Sequence, residues 1–181
     1  MHKVAIITGG DSGIGLSVAT ALLQRDAWHV HIIGTNPTKG ERALSILGNN
    51  AYFYREDVTN YQGLAEVFGR IFAREQRLDF VFANAGVVGR PQFESMHSQV
   101  PPCLEQQPPA LDQYVCDVNF KGVVSTVHLA QYYFAKNLTE DQSLVITGSC
   151  ASIWPASLYP LYTASKVTQP FSSILNNDAN F

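Results

Sequence analysis

The sequence is sparing in charge, in cysteine and in long apolar runs, and each shortage excludes a class of protein. Only 15% of its 181 residues are charged, and twelve Lys and Arg stand against fifteen Asp and Glu for a net charge of -3. With no basic excess to neutralise a phosphate backbone, nucleic acid is not expected as a partner. The three cysteines, Cys103, Cys116 and Cys150, show no metal-ligand spacing. An odd number with no signal segment points to a reducing, cytoplasmic setting. The first apolar run, Val4 to Ile7, leads straight into a glycine turn and leaves no room for a secretory core. No stretch approaches the ~20 apolar residues of a membrane span, so no membrane partner is expected either. What is present is a 46% hydrophobic content. At this length that suits a single domain, residues 1–181, burying roughly 70% of its unfolded surface without disulfides or metals.

Short β-branched runs alternate with segments of helical period, the pattern of an α/β protein built on a parallel sheet. Strands are expected at Val4 to Ile7, Val30 to Ile33, Ala51 to Tyr54, Phe80 to Phe82 and Ser143 to Thr147. Helices are expected at Gly13 to Arg25, at Pro37 to Leu47 with Pro in the first turn, and from a cap at Thr59 or Asn60. That last helix repeats Leu64, Val67, Phe68, Ile71 and Phe72 at helical spacing. Leu111 to Lys136 forms a longer helical pattern, and a final helix starts near Leu161, with Pro170 interrupting it. Between the fourth strand and the long helix, Val87 to Pro109 contains five prolines and no period, as functional or disordered loops do. Its Phe93, Met96 and Val100 suggest a lipophilic substrate. His29 and His31 lead into the second strand with no third ligand at a usable interval, so they are expected in the core or at an edge. Cys150 is expected to pack as a small apolar residue.

Thr8-Gly-Gly-Asp-Ser-Gly-Ile-Gly15 links the first strand to the first helix. Backbone N–H groups at a helix N-terminus can face a pyrophosphate there, and the glycines let the chain approach it. This turn resembles that of the short-chain dehydrogenases/reductases, and further motifs follow in that family's order. They are Asp57-Val58, Asn84-Ala85-Gly86, Asp117-Val118-Asn119, Ser149, and Tyr162-Thr-Ala-Ser-Lys166 thirteen residues after Ser149. The family's Asn-Asn-Ala-Gly has its first Asn replaced by Ala83. The proline-rich segment and Leu111 to Gly122 look most like fungal proteins similar to 15-hydroxyprostaglandin dehydrogenase.

The resemblance implies a Rossmann-type doubly wound parallel sheet in three layers, lacking the family's last two strands. It also implies an NAD(P)-dependent oxidoreductase interconverting a secondary alcohol and a ketone. A phenol is a poor base near neutrality unless positive charge stabilises its phenolate, and Lys166, one helical turn from Tyr162, can supply that charge. The family assigns Tyr162 as acid/base, Lys166 also to the nicotinamide ribose, Ser149 to the substrate oxygen and Asn119 to a water leading from Lys166. The cofactor set implied is Gly9, Ser12, Gly13, Ile14, Gly15, Thr35, Asn36, Asp57, Val58, Asn84, Ala85 and Gly86, with Tyr162 and Lys166. The second strand ends in Gly34-Thr35-Asn36 without a carboxylate, and Lys39 and Arg42 follow, which leans toward NADP over NAD. No metal is implied. The family pairs through its long helix, so a homo-oligomer, dimer or tetramer, is expected, with a small lipophilic alcohol or ketone as substrate. Two alternatives remain. One is a relative using the same site for cyclisation or isomerisation, and the other is a truncated, catalytically impaired chain acting through cofactor binding or dimerisation.

Overall fold

The structure is a computed structural model and describes residues 2–25, 27–89, 110–138 and 141–167. Phe93, Met96, Val100, Cys103, Pro170 and the tail from residue 171 lie outside the described residues.

Five strands, β1 (Lys3–Thr8), β2 (Trp28–Gly34), β3 (Ala51–Arg55), β4 (Phe80–Ala83) and β5 (Ser143–Ile146), form one sheet in the order β3-β2-β1-β4-β5. Every pairing is parallel, with Val4 opposite His29 and Ile6 opposite both His31 and Val81. The central strand is apolar at successive positions because both of its faces are covered. Val4 and Ile6 point into one core with Leu64, Phe68 and Ile71, and Ala5 and Ile7 into the other with Ala19, Ile32 and Ala43. This is the doubly wound, three-layer arrangement expected, and it stops at β5 among the described residues.

Two of the helices begin where a side chain caps them. In α2 (Pro37–Leu47), Asn36 accepts from the Lys39 N–H at 3.1 Å and Pro37 occupies the first turn. In α3 (Tyr61–Glu75), the cap is Asn60 rather than Thr59, accepting from the Gly63 N–H at 3.3 Å. Burying Leu64, Val67, Phe68 and Ile71 of α3 stabilises the fold by about 1.5–3 kcal/mol apiece. Helix α1 (Gly13–Leu23) ends two residues earlier than expected.

The long helix, α4 (residues 114–134), departs from the expected regular helix. An α-helical turn at Tyr114–Cys116 gives way to a π-helical stretch, Asp117–Gly122, before regular helix resumes at Val123–Phe134. A π segment inserts an extra residue into the turn and re-aims the side chains beyond it, an effect that hydrophobic period does not report. In the run Tyr132-Tyr133-Phe134 of this helix, Tyr133 packs on Phe68 and Phe72 while Tyr132 faces outward beneath Lys136. A 3-10 turn at Cys150–Ser152 and helix α5 (Pro160–Val167) complete the described chain. Cys150 is exposed in that turn and not packed, because the turn carries its side chain outward.

Candidate active site

Beyond the C-terminal ends of the strands lies a cleft of about 440 Å³, bounded by the glycine turn, the end of β2 and Tyr162. Of the residues proposed from sequence, Gly9, Ser12, Ile14, Thr35, Asn36, Asp57, Val58, Asn84, Ala85, Gly86, Tyr162 and Lys166 line it. Gly13, Gly15, Asn119 and Ser149 stand behind or beside this lining. Gly13 has φ +53, and nothing lies within 4 Å of where its Cβ would be, so the first turn of α1 presents open backbone. A Cβ on Gly15 would strike the Gly9 carbonyl and the Asn84 side chain, so α1 packs against the turn only with glycine there. Exposed N–H groups at a helix start beside an open cleft suit a pyrophosphate.

The floor of the cleft is held by polar side chains that bridge strand ends. Thr8 Oγ1 accepts from the Asn84 and Ala85 N–H groups at 3.0 and 3.1 Å. The Asn84 amide donates to the carbonyls of Thr8 and Gly9, both at 3.2 Å, and its oxygen accepts from Thr147 Oγ1 at 2.9 Å. One asparagine thus joins the ends of β1, β4 and β5. Asn119 is fully buried in the π-helical stretch of α4. Its oxygen accepts from the Val87 N–H and its nitrogen donates to the Val87 carbonyl, both at 2.8 Å, with Ser165 Oγ a further 3.0 Å partner. These contacts make Asn119 a clamp on the backbone after Gly86.

Ser149, Tyr162 and Lys166 meet at the cleft's inner end. The Tyr162 hydroxyl donates to Ser149 Oγ at 3.3 Å, and Ser149 Oγ also accepts from the Ala151 N–H at 3.1 Å, which fixes its rotamer. Lys166 is 4% exposed, its Nζ donates to the Thr147 carbonyl at 3.0 Å, and it lies 6.0 Å from the centre of the Tyr162 ring. Burial pulls the Lys166 ammonium below its ordinary pKa of 10.5. Its carbonyl accepts from Ser152 Oγ at 2.8 Å. The 3-10 turn is thereby tied to the end of α5.

Several residues lining the cleft escaped sequence reasoning, Asp11, Tyr114 and Thr147 among them. Asp11 belongs to the glycine turn, and its carboxylate lies 2.8 Å from where a Cβ on Gly34 would be, so an acid does stand at the end of β2. Tyr114 lines the cleft and its hydroxyl is 3.4 Å from Asp57 Oδ2. Burial, with the neighbouring carboxylate, raises the Tyr114 pKa above 10.0. Thr147 joins Asn84 to Lys166 through its hydroxyl and its carbonyl. The sequence signal for Asp11 is its place between the turn glycines. Tyr114 and Thr147 carry no local signal.

The short chain dehydrogenase family model matches residues 3–178. This chain belongs to the short-chain dehydrogenase family. It is 37% identical over 155 residues to the short-chain dehydrogenase/reductase prx7 of Penicillium rubens, covering 84% of this chain and 55% of that protein. It is 33% identical over 173 residues to prx6 of the same fungus, covering 91% of this chain and 57% of that one. The chain thus spans little more than half the length of these short-chain dehydrogenase relatives. Neither of their names supports the finer likeness to 15-hydroxyprostaglandin dehydrogenase. An NAD+-bound xylitol dehydrogenase superposes with a TM-score of 0.75 at 22% identity, over 91% of this chain and 60% of that chain, a likeness of fold. Among the described residues no helix is long and apolar enough to cross a membrane.

Proposed function

We propose that these residues form the cofactor-binding and catalytic half of a nicotinamide-dependent oxidoreductase that interconverts a secondary alcohol and a ketone. The observation that carries the reading is the Tyr162 hydroxyl on Ser149 Oγ, with the Lys166 ammonium buried one helical turn away. The cofactor would lie along the glycine turn, with pyrophosphate at Gly13 and Ile14, adenine near Asp57 and Val58, and nicotinamide toward Tyr162. When bound, it accepts or donates the hydride. In alcohol oxidation Tyr162 Oη takes the hydroxyl proton as the hydride leaves carbon, and in reduction it returns that proton to the developing alkoxide. Ser149 orients the substrate oxygen. Lys166 favours the phenolate through its charge. Asn119 acts as a positioning residue, since its amide holds the Val87 backbone.

The missing acid at the end of β2 leaned the sequence toward NADP. Asp11 supports the opposite preference, because its carboxylate beside Gly34 would repel a 2′-phosphate and can accept from a ribose hydroxyl. Dissociation constants for NADH and NADPH decide the point. We expect NADH to bind at least tenfold more tightly, and Asp11→Ala to erase that margin. Equal affinities in both proteins would end this assignment.

A small lipophilic substrate fits the apolar residues near the catalytic end, where Ile153 and Trp154 are exposed. Tyr61, Phe120, Val124 and Tyr132, exposed on or beside α4, support pairing of copies through that helix. The test of the reaction is a panel of ketones and secondary alcohols read by reduced-nicotinamide absorbance. Turnover should fall at least a hundredfold in Tyr162→Phe with cofactor affinity within about threefold of wild type. Cofactor binding without turnover on any carbonyl would instead favour the non-redox or impaired alternatives.

A further inference from the structure

We propose that His2, His29 and Glu75 bind one divalent transition-metal ion of the zinc class, at the end of the sheet opposite the cofactor cleft. The three donors come from different parts of the chain. His2 precedes β1, His29 lies at the start of β2, and Glu75 is the last residue of α3. Their donor atoms fall within 4.8 Å of one another. Both His2 Nε2, at 2.8 Å, and His29 Nδ1, at 3.0 Å, are aimed at the same oxygen, Glu75 Oε2. Two imidazoles and a carboxylate form a donor set for zinc-like ions, whereas magnesium and calcium prefer oxygen alone.

A tetrahedral ion at ~2.0–2.1 Å from each donor separates the donors by roughly 3.3–3.4 Å, so the present contacts lengthen by about half an ångström or less. The His2 and His29 rings are stacked at 3.8 Å and 20°, and they must fan apart to aim both lone pairs at one ion. His2 has the freedom to do this, with 36% of its side chain exposed. A water completes the fourth position.

A second, independent observation is the shell behind the ligands. The Glu75 side chain is only 3% exposed and that of His31 is fully buried. Glu75 Oε1 and His31 Nε2 face each other at 3.3 Å, yet neither completes a hydrogen bond. On its other side, His31 Nδ1 lies 3.3 Å from the Tyr54 hydroxyl. With Tyr54 donating to Nδ1, the ring proton sits on Nε2 and points at Glu75. An N–H behind a ligating carboxylate is how metal sites hold a ligand in place. His31 and Glu75 need only a small shift of the carboxylate to complete that bond, and an ion on Oε2 would produce it. Arg74 Nε is 3.1 Å from Oε1 and opposes a cation, but its guanidinium lies 3.9 Å from the Tyr52 ring centre and its side chain is half exposed. The C-terminal end of α3 carries the negative pole of the helix dipole, which favours a cation. The histidines alternate along β2, so period 2 puts both on the face that meets α3.

The full chain, freed of metal by dialysis against a chelator, is titrated with zinc chloride by calorimetry and with cobalt chloride by visible absorption. We expect one equivalent of each, four-coordinate cobalt bands without a thiolate charge-transfer band, and a rise in Tm of about 5–10 °C at saturating zinc. His2→Ala, at a half-buried position near the terminus, should keep the wild-type far-UV circular dichroism and lose at least tenfold in zinc affinity. Glu75→Gln should lose more, and magnesium should leave Tm unmoved. If zinc does not saturate a single site, or if His2→Ala and His29→Ala bind it as wild type does, the three side chains form a hydrogen-bonded cluster and the proposal is overturned.

Discussion

At the residue scale, Lys166 shows how burial and function act on one group. In the proposed mechanism its ammonium must be charged to favour the Tyr162 phenolate, while burial lowers the pH at which that charge is lost. The pH profile of alcohol oxidation should therefore turn down on a limb below 10.5, the ordinary lysine value. Lys166→Arg should keep the cation through that range and remove the limb, at the expense of kcat, which rate profiles of the two proteins will show. His31 gives a second pH effect, this time on stability. Burial first of all lowers its pKa from 6.5 to about 4, with Arg74 and His29 adding to the shift and Glu75 opposing it. Between those values the unfolded chain binds a proton that the folded chain refuses, so stability present above pH 6.5 drains away as the pH falls toward 4. The whole contribution is at most about 3 kcal/mol. Thermal unfolding in chelator at pH 7 and pH 5 should show a fall in Tm that His31→Leu largely removes.

At the scale of elements, the most legible parts of the molecule were those set by local chemistry. Helix α2 runs over the residues expected because Asn36, Pro37 and Gly48 mark its ends, and Leu64, Val67, Phe68 and Ile71 name the buried face of α3. The ordered motifs placed Ser149, Tyr162 and Lys166 within reach of one another, and the structure brings them together. What escaped was set by distance along the chain. Glu75 lies 46 residues from His29 and meets it only because α3 ends beside the start of β2. Asp11 reaches Gly34 across a strand pair. The π stretch of α4 is equally silent in composition, and Asn119 within it explains its value by gripping both polar groups of Val87. Asn119→Ala leaves those groups without that partner at a partly buried site and should cost about 1–3 kcal/mol, measured by denaturant unfolding. If its role is positioning, the same variant lowers kcat and leaves the affinity for the adenosine half of the cofactor nearly unchanged. Competition with ADP-ribose would measure that affinity.

At the scale of the whole molecule, β5 is the sheet's outer strand among the described residues, and its Val145 is 43% exposed. Ile153 and Trp154, later in the chain, are also exposed. A strand edge without a neighbour among the described residues, carrying exposed apolar side chains, favours association. This chain should therefore elute at a concentration-dependent size, and Val145→Lys should shift it toward the monomer. An unchanged elution profile in that variant would place the contact elsewhere, with α4 the next surface to alter. The strand order carries a further consequence. From β1 the chain runs outward to β2 and β3, then returns past β1 to β4 and β5. The connections above β1 and β4 leave in opposite directions, and the gap they open is where the cleft lies. The location of binding is thus written in the path of the chain, while the lining side chains decide only what is bound. Wholesale replacement of the lining would redirect this protein to another ligand without moving the place where it is held.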